Sequence, residues 1–275
     1  MKDRLRFTVL GCGSSPGVPR ANGDWGACNP LEKKNRRYRA SFLVERISER
    51  GKTTVVIDTG PDFRSQMIEA GVHNIDAVIY THGHADHTNG IDDLRTFVLD
   101  RSKLMDVYAD EATFQRLDEG FGYCFKTPEG SNYPPILKAN IIDSKNVFII
   151  SGKGGTIFFQ PHLQIHGNIH SLGFRVGNVA YCTDVSAFPD GTAEKLFGLD
   201  VLIIDALQYK PHPSHFPLEE AVGWIKKLAP QRAILTHMHV SLDYSTVLEE
   251  TPQNVEPAYD GLVFEYDAES DSTKI

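Results

Sequence analysis

Cysteine is scarce in this chain, with four in 275 residues and no paired spacing among Cys12, Cys28, Cys124 and Cys182. That excludes a disulfide scaffold. No apolar run is long enough to span a membrane. The first one, Leu5–Leu10, is broken by Arg6 and too short for a signal peptide, although Val9-Leu10-Gly11-Cys12 mimics a lipoprotein cleavage site. A cytoplasmic location is therefore expected. Low-complexity linkers and tandem repeats are also missing, so residues 1–275 read as one domain. Positive charge is in deficit: the net charge of −8 leaves no global field to attract nucleic acid or anionic lipid. What the chain does have is core material, since 41% of its residues are hydrophobic.

Strands and helices alternate along it. Strands are expected at Leu5–Leu10, Ser41–Glu45, Thr53–Asp58, Ala77–Tyr80 and Val107–Ala109, and later at Thr156–Gln160, Leu172–Val176, Val179–Cys182, Leu199–Asp205 and Ala233–Leu235. Helical spacing marks Asp62–Ala70 behind the cap candidate Asp62, a segment from Gly90 through Val98, Ala112–Leu117 and Leu218–Leu228. Mixed strands in both halves with helices between them point to two packed sheets with helices outside, an α/β (α+β) architecture.

Against this background, Thr81-His82-Gly83-His84-Ala85-Asp86-His87 holds three of the eleven histidines beside an aspartate, directly after an apolar strand. Successive residues of a helix splay around its axis, so a loop leaving a strand is the expected geometry, with His82 and His84 on one side. Neutral imidazoles with a carboxylate are a ligand set for zinc, manganese or iron. More such residues follow apolar runs downstream. His166 and His170 precede Leu172–Val176, Asp184 follows Val179–Cys182, and His237 follows Ala233-Ile234-Leu235-Thr236 in the same Thr-His pattern as Thr81-His82. One histidine after a strand is usually a hydrogen-bonded core residue; agreement among several strand ends points to a metal centre.

The His-x-His-x-Asp-His run, the later His and Asp and the terminal Thr-His together resemble the metallo-β-lactamase superfamily, over nearly the whole chain from Thr8 to Phe264. The resemblance implies a four-layer αβ/βα sandwich with two divalent ions, Zn²⁺ or Mn²⁺, at the edge of the sheets. It implies His82, His84 and His166 on the first ion, Asp86, His87 and His237 on the second, and Asp184 bridging. Asp58 would orient ligands without binding metal. His170 competes for the place of His166, which Gly167 favours by permitting a tight backbone approach. His239 competes with His237, which fits the Leu-Thr-His strand end. Two such ions can share a water and lower its pKa from ~15.7 to near neutrality, with Asp86 also accepting a hydrogen bond from that nucleophile.

Further features narrow the chemistry. Gly11-Cys12-Gly13-Ser14-Ser15-Pro16-Gly17 after the first strand, and Arg36-Arg37-Tyr38-Arg39-Ala40-Ser41, are similar to the phosphodiesterase branch of the superfamily. Ser14, Ser15, Arg39 and Ser41 are thus candidate substrate contacts, through turn N–H groups and guanidinium. The resemblance places a non-ligand histidine at a helix start, matching His215 more closely than His212, with the role of protonating the leaving alkoxide or contacting the phosphoryl oxygen. The aromatic, Gly/Pro-rich stretch 120–135 fits either a lid whose Tyr123 and Tyr133 stack on a substrate or a contact between two copies of the chain. The expected function is a binuclear phosphodiesterase for a small cyclic or nucleotide-like diester. The alternatives are a tRNA 3′-processing-type endoribonuclease, an ester, lactone or thioester hydrolase, and a non-catalytic metal-holding nucleotide-binding protein.

Overall fold

The computed structural model describes residues 3–99 and 103–268. Its first half supplies β1 (Arg4–Gly11), β2 (Ser41–Ser48), β3 (Gly51–Ile57), β4 (Ala77–Ile79), β5 (Met105–Ala109) and β6 (Leu137–Ile141). The second supplies β7 (Phe148–Gly152), β8 (Gly155–His166), β9 (Ile169–Val176), β10 (Val179–Cys182), β11 (Val201–Asp205), β12 (Arg232–Thr236), β13 (Val255–Pro257) and β14 (Val263–Asp267). Two seven-stranded sheets result, ordered β14-β1-β2-β3-β4-β5-β6 and β13-β12-β11-β10-β9-β8-β7. The last strand crosses back to close the edge of the first sheet, pairing antiparallel with β1 from Arg4↔Asp267 to Thr8↔Val263.

Side-chain alternation explains why these strands read as unbroken apolar runs. Phe42, Val44, Val55, Ile57, Ala77 and Ile79 face the other sheet, where they meet Phe159, Leu172, Phe174, Tyr181 and Ile203. Their neighbours Leu43, Val56 and Val78 point the opposite way, under the helices α1 (Phe63–Glu69) and α3 (Glu111–Phe125) and the 3₁₀ turns Ile91–Phe97. Both faces are covered, so no polar face is needed. The short α2 (Ala85–Thr88) and α4 (Thr192–Lys195) precede α5 (Leu218–Leu228), which covers the second sheet with Leu218, Ala221, Ile225 and Leu228; α6 (Tyr244–Glu250) follows. The layers are helix, sheet, sheet, helix, as the sequence resemblance implied.

Parallel pairing fixes where the strand ends go. β3, β4 and β5 run parallel, as do β10, β11 and β12. Their C-terminal ends therefore gather along one edge of the sandwich. There the Leu172 N–H donates to the Thr81 carbonyl at 2.8 Å, tying the second sheet to the first.

Two expected elements differ. Asp62 does not cap α1 through its side chain, because its carboxylate takes the Arg39 N–H at 2.9 Å and the Arg39 guanidinium at 3.1 Å. The stretch 120–135 is not all loop, since α3 continues to Phe125 across a non-helical Phe121.

The inter-sheet core centres on Phe42 and Tyr181, whose rings stack at 4.7 Å with 2° between their planes. Phe42→Ala should lower unfolding free energy by about 3–5 kcal/mol, measured by urea denaturation. A loss below about 1 kcal/mol would mean that this stack does not hold the sheets together.

Candidate metal centre

The loop after β4 is built differently from the expected irregular turn. His84 ends its extended part, and Ala85–Thr88 then forms one helical turn that buries Asp86 and His87. Gly60 makes this approach feasible: a Cβ there would lie 2.1 Å from the Asp86 carbonyl oxygen. Three other strand ends reach the same place. Asp58, Asp184 and His237, after β3, β10 and β12, have φ of 66°, 51° and 58° and make up three of the four left-handed non-glycine residues among those described. The left-handed kink turns each side chain out of its strand direction and into the cluster.

Asp184 sits at the centre. Its Oδ2 faces His82 Nε2 at 3.8 Å and His166 Nε2 at 3.7 Å, while its Oδ1 faces His87 Nε2 at 3.1 Å and His237 Nε2 at 3.4 Å. Asp86 Oδ2 lies 3.5 Å from His87 Nε2 and 3.7 Å from His237 Nε2, and His84 Nδ1 lies 3.2 Å from His166 Nε2. Two donor sets therefore share one carboxylate, His82–His84–His166–Asp184 and Asp86–His87–Asp184–His237, the donor atoms of each within 4.8 Å of one another.

Tautomers can be read from the hydrogen bonds. Thr81 donates to Asp58 through its N–H and its hydroxyl, both at 2.8 Å. With that proton spent, Thr81 Oγ1 can only accept from His82 Nδ1 at 3.0 Å. His87 Nδ1 donates to Asp58 Oδ2 at 2.7 Å, and His166 Nδ1 donates to the Ser214 carbonyl at 2.6 Å. In its neutral form, the one that can bind a metal, each of the three imidazoles thus turns a lone pair on Nε2 toward Asp184. The Nε2 atoms of His82, His87 and His237 are buried without a hydrogen-bond partner. Orphaned acceptors at these spacings fit a tetrahedral ion with ~2.1 Å bonds, whose ligand atoms stand about 3.4 Å apart. The residues fit a divalent metal.

Protonation in the bare cluster follows from burial and charge. Burial opposes a charge on His87, but the carboxylates of Asp184, Asp58 and Asp86 outweigh it and raise its pKa well above the usual imidazole value. Burial, reinforced by His87, pushes His82 well below that value. Burial disfavours charge on Asp184 too, yet the surrounding His237, His87 and His82 hold its pKa well below the carboxylate range.

A further strand end adds a residue that sequence reading passed over. Asp205, closing β11, accepts His215 Nδ1–H at 2.6 Å and the Val185 N–H at 3.0 Å on the same oxygen. His215 stacks on His237 with ring centroids 4.7 Å apart and 12° between planes, and meets His166 edge-on at 4.6 Å. Burial lowers the affinity of His215 for a proton, but Asp205 overrides it and lifts the pKa to about 9. The signal was present in Leu202-Ile203-Ile204-Asp205, which repeats the apolar-run-then-Asp pattern of Asp58 and Asp184.

The remaining candidates divide. His170 is exposed on β9 and stands outside both donor sets. His239 instead pairs with Arg20, Nε2 to Nη2 at 2.6 Å. Gly167 matters for another reason than expected, since a Cβ there would lie 2.9 Å from Ser214 Cβ in the tight β8–β9 turn at φ 62°. Ser14 is buried, but its N–H goes to the Met238 carbonyl, and those of Gly13 and Gly17 go to the Tyr38 and Ser14 carbonyls. The turn therefore offers no cradle of free N–H groups; Ser15 alone of the two serines is exposed. Ser41 is not a surface contact, because it is buried and donates to the Asp58 carbonyl at 2.8 Å. Arg39 is engaged with Asp62, and Arg37 turns inward to donate to the carbonyls of Leu242 at 2.8 Å and His239 at 3.4 Å.

Tyr123 and Tyr133 do not reach the centre. The Ile136 N–H bonds the Cys124 carbonyl, and Leu137 pairs with Met105 where β5 begins. The segment lies at the opposite edge of the sheet, about 16 Å from the strand ends for five residues of β5. It is not a lid.

The family model "Beta-lactamase superfamily domain" matches residues 53–238. The chain belongs to this superfamily. Its architecture and buried His/Asp clusters are those of a metallo-β-lactamase-type hydrolase. A crystal structure described as a new diphosphatase from the PhnP family is 36% identical, with a TM-score of 0.86 over 97% of this chain and 98% of that one. Human tRNase Z, short form, shares the fold at 20% identity, with a TM-score of 0.61 over 94% of this chain and 98% of that one. An octanoyltransferase of Porphyromonas gingivalis is 32% identical over 262 residues, 94% of this chain and 51% of that protein. The chain thus spans about half the length of that curated relative.

Removing Asp58 frees both His82 and His87 to rotate or change tautomer. Asp58→Ala should weaken metal binding about 10–100-fold, measured by competition with a chromogenic chelator; unchanged affinity would show that the imidazoles are held otherwise. A second expectation concerns the metal-free protein. The folded pKa of His215, about 9, exceeds that of an unfolded imidazole, ~6.5. Its pairing with Asp205 therefore contributes stability fully below about pH 6.5 and loses it as pH rises through about 9. The stability gap between wild type and Asp205→Asn should close over that window in urea titrations, and a pH-independent gap would refute the pairing.

Proposed function

We propose that the chain is a metal-dependent phosphodiesterase acting on a small cyclic or nucleotide-like phosphodiester, with two donor sets, both including Asp184, that would hold two Zn²⁺ or Mn²⁺ ions. The observation that carries this reading is the Asp205–His215 pair, a held proton donor set against the metal-ligand cluster. Bound in the two donor sets, divalent ions would supply an acidic water and positive charge for the phosphoryl oxygens. The side chains do the rest. Asp86, largely buried and held ionised by His87 and His237, accepts a hydrogen bond from the attacking water and orients it. His215, kept protonated by Asp205, gives its proton to the departing alkoxide as the P–O bond breaks. Such a donor has most to do where the leaving group is a poor one, as the alkoxide of a phosphodiester is. The name of the 36%-identical diphosphatase also supports phosphorus-centred chemistry.

A second reading, acyl ester or thioester hydrolysis, draws on the octanoyltransferase relative. That protein's name describes the whole of a chain about twice as long, so the likeness alone does not carry acyl chemistry to this half. An RNA-processing role is disfavoured by the net charge of −8.

Bis(p-nitrophenyl) phosphate separates these readings. The metal-free protein should be inactive and regain turnover with zinc or manganese, and Asp184→Ala should abolish it. On a diester with an alkoxide leaving group, adenosine 2′,3′-cyclic phosphate, His215→Ala should lose about 10²–10⁴-fold in kcat with metal content intact, and much less on the aryl diester. Metal-loaded protein that leaves the diester untouched but cleaves an octanoyl thioester would move the assignment to acyl chemistry.

A further inference from the structure

The loop from β11 to α5, Pro211-His212-Pro213-Ser214-His215, carries a second imidazole that the chemistry above does not use. Prolines on both sides restrict the backbone at His212, so little entropy is lost in presenting it. Its ring lies 5.2 Å from that of His215, tilted by 48°. Its Nδ1 is engaged by Ser214, through the backbone N–H at 3.4 Å and the hydroxyl at 3.2 Å. A backbone N–H can only donate, so Nδ1 is the acceptor and the neutral ring carries its proton on Nε2. Ser214 in turn receives His166 Nδ1–H on its carbonyl. One loop therefore fixes a metal-ligand candidate, the proton donor His215 and the exposed His212 together. On the metal loop across from it, His84 is the one exposed member of the two donor sets.

On the phosphodiesterase reading, we propose that His212 determines specificity by donating a hydrogen bond from Nε2 to an oxygen of the leaving group. His215 protonates the leaving oxygen itself. A donor whose ring stands 5.2 Å away reaches an atom two or three covalent bonds further on. The leaving group that satisfies both rings is a polyol or sugar with an oxygen acceptor close to the scissile bond. A simple aryl alcohol satisfies only His215. No proton is transferred by His212, so its loss should act on binding more than on chemistry.

The test is steady-state kinetics of the metal-loaded wild type, His212→Ala and His212→Gln on two diesters, adenosine 2′,3′-cyclic phosphate and bis(p-nitrophenyl) phosphate. For His212→Ala, KM for the cyclic nucleotide should rise about 3- to 10-fold, with kcat and the aryl substrate's KM little changed. His212→Gln, which keeps a donor, should recover part of the loss. An equal effect on both substrates, no effect on either, or a fall in kcat like that of His215→Ala would overturn the role. So would a wild type that cleaves only the aryl diester. A wild type that cleaves neither would overturn the phosphodiesterase reading, and this one with it.

Discussion

One buried carboxylate sets the chemistry of the others. Asp58 takes two hydrogen bonds from Thr81 and one from His87. Through the Thr81 hydroxyl it also dictates which nitrogen of His82 carries a proton. Two imidazoles on opposite sides of Asp184 thereby expose the same kind of lone pair, though Asp58 touches neither lone pair itself. Asp58 is held in turn: its N–H bonds the Ile79 carbonyl, its own carbonyl accepts from Ser41, and its backbone is left-handed at φ 66°. Replacing any of these partners would disturb a metal site several bonds away.

Left-handed backbone at Asp58, Asp184 and His237 costs roughly 1–3 kcal/mol per residue. Such strain persists only where the surroundings leave no alternative. Here parallel strands deliver all three ends to one edge, and cross-links close behind each. Ser171 donates to the Asp184 carbonyl at 2.7 Å, Met238 N–H to Cys12 at 2.8 Å, and Ala206 N–H to Thr236 at 3.0 Å. A core filled from both sheets, with Phe42 on Tyr181, resists the relaxation that would relieve the strain. Fold stability and site geometry are coupled through these turns.

That coupling also explains what could be read from the chain unaided. The two-sheet layering, the His82–His87 run and the downstream His166, Asp184 and His237 were legible because apolar strands ending in metal-binding residue types form a local pattern. Asp205 carried the same pattern and escaped because its role depends on His215, ten residues away and brought back only by the turn into α5. Ser14 and Ser41 have surface-contact composition, yet their surroundings decide otherwise: one N–H is spent on Met238, and one hydroxyl is buried under Asp58. For Tyr123 the composition suited a lid, but α3 continues past Leu117 to Phe125 and carries it toward the start of β5, away from the strand ends. Strands β6, β7, β13 and β14 were missed because they are short edge strands, and for β6, β13 and β14 the pairing partner is distant in sequence. His-tautomer relays are invisible for the same reason: they exist only once Thr81, Asp58 and two rings share a volume.

Charge balance gives the cluster its affinity for cations. Asp58, Asp86 and Asp184 lie within one buried region, and three carboxylates cannot stay ionised there without positive charge nearby. In the bare protein that charge comes from protons: His87 binds one tightly, while His82, beside it, is prevented from doing so. The proton on His87 Nε2 occupies the lone pair that a ligand needs, since Nδ1 is committed to Asp58. A divalent ion therefore replaces a proton rather than joining it, and uptake must weaken as acid restores the competitor. Because Asp184 gives one oxygen to each donor set, a cation on one side withdraws charge from the other. The two donor sets are linked through a single carboxylate, so a cation held in one would change the charge felt by the other.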